Sequence, residues 1–92
     1  MNLVYSREAI ADLVRLRAFI AEKNPDAATR IGNDIVERVN RLRAFPEMGH
    51  AVTHAPEPRS IRDIVFGNYV VRYSVHSDAI IVLRVWHHFE DR

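Results

Sequence analysis

The apolar residues of this chain change their period once, and that change constrains the fold more than any other feature. As far as Leu42 they recur at spacings of three and four, as an amphipathic helix requires; from Ile61 onward they form short blocks with the alternation of strands. Two helices therefore precede a β-rich half.

A short β-prone run at residues 3–5 opens the chain, and Ser6 ends it with a hydroxyl suited to capping an early helical amide. Ala9, Leu13, Leu16 and Ile20 then form an apolar stripe, with Glu8, Asp12, Arg15 and Glu22 assigned to the polar side. This first helix is expected to end near Lys23. The Asn24-Pro25 pair marks a boundary, because proline disfavours helical geometry in the residue before it but is tolerated at the first helical position. Asn24 caps a second helix whose apolar face is Ala28, Ile31, Ile35, Val39 and Leu42, stopping at Phe45-Pro46. An antiparallel helical hairpin with a very short turn follows.

Residues 47–60 contain Gly49, Pro56 and Pro58 and show no period, so they read as a surface loop over the sheet edge. Three strands come next: Ile61–Phe66, a Gly67-Asn68 turn, Tyr69–Val75, a turn at 76–78, and residues 79–86. Strict alternation puts Tyr69, Val71, Tyr73 and Val75 on one face of the middle strand. In the last it sets Ile81, Leu83 and Val85 against Ile80, Val82, Arg84 and Trp86. The order is β-α-α-β-β-β, an α+β layer with the helical hairpin on one face of a small, mainly antiparallel twisted sheet.

Ninety-two residues make one domain, 1–92, and 48% apolar with 27% charged residues is the balance of a folded globular protein. The absence of cysteine removes disulfides and thiolate metal sites and fits a reducing compartment, the cytoplasm. The N-terminus has no signal-peptide pattern and no run approaches a membrane span, so neither secretion nor membrane insertion is expected. A net charge of +1 lacks the basic excess of a general nucleic-acid binder. Twelve of the thirteen basic residues are nonetheless arginine, the side chain suited to bidentate contacts with carboxylates or phosphates.

Several strings then gain meaning together: Ala9-Ile10-Ala11-Asp12-Leu13, Asn24-Pro25-Asp26-Ala27-Ala28 and Leu42-Arg43-Ala44-Phe45-Pro46-Glu47-Met48-Gly49, followed by Ile61-Arg62, Gly67-Asn68-Tyr69-Val70-Val71-Arg72-Tyr73 and Ile81-Val82-Leu83-Arg84-Val85-Trp86-His87. In this order and spacing they resemble the ParE/RelE toxin superfamily of type II toxin–antitoxin systems over essentially the whole chain. The resemblance implies a cytoplasmic, plasmid-stabilisation-like toxin that arrests growth and forms a hetero-oligomer with its antitoxin. In the ParE-like branch the target is DNA gyrase and a ParD-like antitoxin neutralises the toxin. The RelE-like branch instead cleaves messenger RNA on the ribosome. A third reading is a non-toxic relative that only binds antitoxin.

Metal-free RNA cleavage needs a proton acceptor, a proton donor and cations on the phosphate. Arg62 and Arg84 are the candidate cations, beside Arg72, with Glu47, His87 or His88 exchanging protons. The β half has no lysine, and Phe89 stands where a second RelE-like pattern has a tyrosine, so the ParE-like branch is favoured. That branch needs no catalytic residue and no cofactor. Arg62, Arg84, Trp86 and His87 are then the expected target contacts, with Trp86 and Phe89 offering aromatic surface. Val14, Phe19 and Val36 lie outside the main stripes and form an apolar surplus that an amphipathic antitoxin helix can cover. No metal site is expected, since His87 and His88 are adjacent in a strand and prolines disfavour the helix that His50 and His54 need to share a face.

Overall fold

The computed structural model describes residues 1–52 and 61–88. Strand β1 is Asn2–Tyr5, helix α1 Arg7–Ala21 and helix α2 Pro25–Asn40; a short 3-10 turn, Arg41–Arg43, extends α2. Four further strands follow: β2 (His50–Ala51), β3 (Ile61–Phe66), β4 (Tyr69–Val75) and β5 (Ala79–His87). Among the described residues they form one five-stranded sheet in the order β1-β5-β4-β3-β2. The helical hairpin carries the chain across the sheet, so β1 pairs in parallel with β5 while the other pairings are antiparallel.

Both expected caps are present. The Ser6 hydroxyl accepts from the Ala9 amide at 3.0 Å and donates to the Leu83 carbonyl at 2.9 Å, so one group starts α1 and ties it to β5. Asn24 Oδ1 accepts from the Ala27 amide at 3.0 Å, with Pro25 opening α2. The core is the meeting of Ala9 and Leu16 with Ile35, Val39 and Leu42 over Val71, Tyr73, Ile80, Val82 and Val85.

Three sequence readings are corrected. Segment 47–60 is not wholly loop: His50 and Ala51 pair with Asp63 and Arg62, and the Val52 amide bonds to the Ile61 carbonyl. A two-residue strand is too short to show a period. Residues 53–60, with His54, Pro56 and Pro58, lie outside the described residues, as does Phe89. Second, the alternation of β5 breaks. Arg72 stands opposite Arg84 but Tyr73 opposite Val82, so Leu83 is an extra residue in a β-bulge. Ile80, Val82 and Val85 consequently share the buried face, and Val85 does not join Ile81 and Leu83. Third, Asp12 is not on the polar side of α1; it is buried, with 2% of its surface accessible.

Tyr73 and Gly49 fix the chain where it leaves the helices. The buried Tyr73 hydroxyl donates to the Pro46 carbonyl and accepts from the Gly49 amide, both at 2.8 Å. A side chain at position 49 has no room: its Cβ would lie 2.7 Å from both the Asp63 carbonyl oxygen and the Tyr73 hydroxyl. The β3–β4 turn uses Gly67 at φ +57° with Asn68 at negative φ, the pattern of a two-residue hairpin with glycine at its first central position.

Candidate functional site

Two surfaces bring together some of the residues selected from the sequence. The first is the sheet around the bulge. Asp63, Arg72 and Arg84 are cross-strand neighbours in one row, and Val65, Val70 and Trp86 form the adjoining row. Arg72 binds Asp63 through two hydrogen bonds, 2.8 and 3.0 Å, and its guanidinium lies 5.2 Å from the centre of the Trp86 ring. The Asp63 carboxylate raises the Arg72 pKa beyond its ordinary value.

Arg84 turns around the edge of β5 to meet Asp12, with Nε 2.8 Å from Oδ2 and Nη2 3.0 Å from Oδ1. The same carboxylate accepts from the Val85 amide at 2.9 Å and from Arg15 Nη1 at 2.7 Å. Strand β1 ends at Tyr5, opposite Val82, so this amide lies beyond the reach of the β1–β5 ladder and a helix side chain satisfies it instead. Burial alone would raise the Asp12 pKa; hydrogen bonds from Arg84, Arg15 and Val85 override it and hold the carboxyl well below the usual carboxylate range. A signal for Asp12 was present in the sequence, since position 12 is three residues after Ala9 and four before Leu16, inside the apolar stripe.

Arg62 does not join Arg72 and Arg84. It stands opposite Tyr73, on the helix-covered face, and donates to the carbonyls of Gly49 at 2.7 Å and Glu47 at 3.4 Å. Its Nε is buried and has no hydrogen-bond partner among the described residues. Glu47 is exposed beside it. Trp86 and His87, being consecutive, face opposite sides: Trp86 meets Arg72, whereas the His87 ring packs edge-on against Tyr69 with centres 5.2 Å apart. His88 follows β5 and is exposed. Among the described residues, no three His, Cys, Asp or Glu side chains are grouped to hold a metal ion, and no helix is long and apolar enough to cross a membrane.

The second surface is a groove of about 240 Å³ between α1 and α2. Leu13, Val14 and Ile20 line it from α1, and Ala28, Gly32 and Val36 from α2. Val14 is 65% and Val36 50% exposed, so the groove brings these two together. Phe19 is 59% exposed but lies outside the groove wall. Among the described residues, Arg17 is the one charged side chain in that wall.

A family model described as the ParE toxin of the type II toxin-antitoxin system, parDE, matches residues 3–92. Toxin RelE1 of Caulobacter vibrioides is 34% identical over 93 aligned positions that cover 99% of this chain and 97% of that one. Toxin RelE2 of the same organism is 29% identical over 87 positions, covering 94% and 93%. Among solved structures, a chain of the chromosomal ParDE system from P. aeruginosa superposes with a TM-score of 0.77 at 23% identity, covering 95% of each chain. One from the RelBE2 toxin-antitoxin complex of Mycobacterium tuberculosis gives 0.69 at 22% identity, covering 94% of this chain and 95% of that one. These two likenesses bear on the fold: helices on one face of a small mixed sheet. With a family match spanning nearly its whole length, the chain belongs to the ParE toxin family of the ParE/RelE superfamily and is the toxin of a type II toxin–antitoxin system.

Proposed function

We propose that this toxin poisons DNA gyrase in the cytoplasm, and that a ParD-type antitoxin neutralises it by laying an amphipathic helix in the α1–α2 groove. One observation carries the choice of target. The arginines that an RNase would turn onto a phosphate are engaged within the chain and divided between two faces: Arg84 on Asp12, Arg72 on Asp63, and Arg62 on the carbonyls of Glu47 and Gly49. Phosphate cleavage requires cations converging on one group, with an acid and a base within reach. A poison that acts by binding needs a surface and no such convergence. Arg84 and Trp86 lie in adjoining rows of the sheet beside Arg72 and are the proposed contacts with gyrase, whereas Arg62 and His87, the other two expected contacts, stand on the opposite face.

An antitoxin partner is supported by the relatives solved as toxin-antitoxin assemblies and by the exposed apolar walls of the groove. The RelE names of the Caulobacter relatives favour a second reading, ribosome-dependent cleavage of messenger RNA with Arg62, Arg84, Glu47 and His88 as the working groups. Inducing the chain alone in a bacterium separates the two. Gyrase poisoning gives early DNA-damage reporter induction with intact messages by primer extension, whereas cleaved messages without early damage would replace it with the RNase.

A further inference from the structure

Gly32 lies inside α2, a 16-residue helix, where glycine disfavours the helix relative to alanine. Among the described residues nothing explains it. Its φ is not positive, and a Cβ built at this position meets, among the described residues, no atom within 4 Å beyond its chain neighbours and its own helix backbone, so neither backbone conformation nor internal packing requires glycine. Its place is in the wall of the groove, where α2 presents Ala28, Gly32 and Val36, one residue per turn, opposite the α1 side chains Leu13, Val14 and Ile20. The missing side chain leaves a notch between Ala28 and Val36, open to the outside and bordered by apolar surface.

We propose that Gly32 is the seat for a bulky apolar side chain of the antitoxin helix, and so a specificity-determining residue of that interface. This rests on reading the groove as the antitoxin's docking site. Notches of this kind reward a partner whose knob fits and reject one held away by an added side chain. Arg17, the charged member of the wall, favours an acidic residue on the partner helix beside that knob.

The test uses the antitoxin translated from the reading frame adjoining the toxin gene, purified and titrated into the full-length toxin and three variants. Gly32→Ala should raise the melting temperature of the free toxin yet weaken binding several-fold. Gly32→Leu should keep the circular dichroism spectrum of the wild type and weaken binding by about 10- to 100-fold, the loss expected when extra methylenes are forced into a packed contact. Val14→Asp, which places a charge on the opposite wall, should also abolish tight binding. Wild-type affinity in both Gly32 variants with loss in Val14→Asp would overturn the role of Gly32 while leaving the groove as the docking site. Wild-type affinity in all three would overturn both. If Gly32→Leu does not fold, Gly32→Ala still decides: a more stable toxin that binds as tightly as wild type contradicts the proposal.

Discussion

The Asp12 carboxylate accepts the amide of Val85, the residue at which β5 returns to the buried face after its bulge. A side chain on the first helix thereby closes the sheet edge that β1 leaves uncovered, and the Arg84 guanidinium is held on the same carboxylate. Removing that carboxylate leaves a buried amide and two displaced guanidinium groups. Asp12→Ala is expected to cost about 2–4 kcal/mol, somewhat less than a fully buried pair because both arginines can rehydrate. Urea unfolding at neutral pH measures it.

The pH dependence of stability has a definite sign. The Asp12 pKa is depressed in the folded state, so its contribution is present above the unfolded-state value near 3.8 and is lost progressively as the pH falls below it. Denaturant midpoints measured from pH 7 to pH 2 should fall more steeply for the wild type than for Asp12→Asn, which cannot titrate. Equal slopes would show that the carboxylate is not held ionised by its three donors.

The two glycines Gly49 and Gly32 should respond oppositely to alanine. At position 49 the added carbon meets the backbone oxygen of Asp63 and the buried Tyr73 hydroxyl, neither able to yield cheaply, so Gly49→Ala is expected to destabilise by about 2–3 kcal/mol. At position 32 the carbon enters open space within a helix, and Gly32→Ala is expected to stabilise by about 0.5–1 kcal/mol. Thermal melts of the two variants side by side settle both signs.

His88 separates the two targets within the chain itself. A gyrase poison needs no proton transfer, so His88→Ala should arrest growth as the wild type does. In the RNase reading it should abolish toxicity. Colony counts after induction, with equal amounts of folded protein confirmed, give the answer.

Much of the fold was legible because its signals are local. Ser6, Asn24 and Pro25 announce the helix starts through their own capping chemistry, and Gly67-Asn68 announces the hairpin. The features that were not legible depend on distant parts of the chain. The parallel pairing of β1 with β5 is a consequence of the crossover, and the bulge at Leu83 leaves no break in a run of apolar residues. Arg62 and Arg84 look equivalent in the sequence, yet register places one opposite Tyr73 and the other opposite Arg72. Asp12 could have been found, since its spacing from Ala9 and Leu16 puts it on the core stripe; a carboxylate there calls for a buried partner.

The proposed trapping of gyrase, by a toxin with no chemistry of its own, is open to direct test. Purified toxin added to gyrase, supercoiled plasmid and ATP tests it most directly, with cleaved DNA scored after denaturing the enzyme. Toxin-dependent accumulation of linear DNA is expected, suppressed when the cognate antitoxin is added first. Unaltered supercoiling with no linear product, alongside messenger RNA cleavage when the same toxin is added to translating ribosomes, would contradict it.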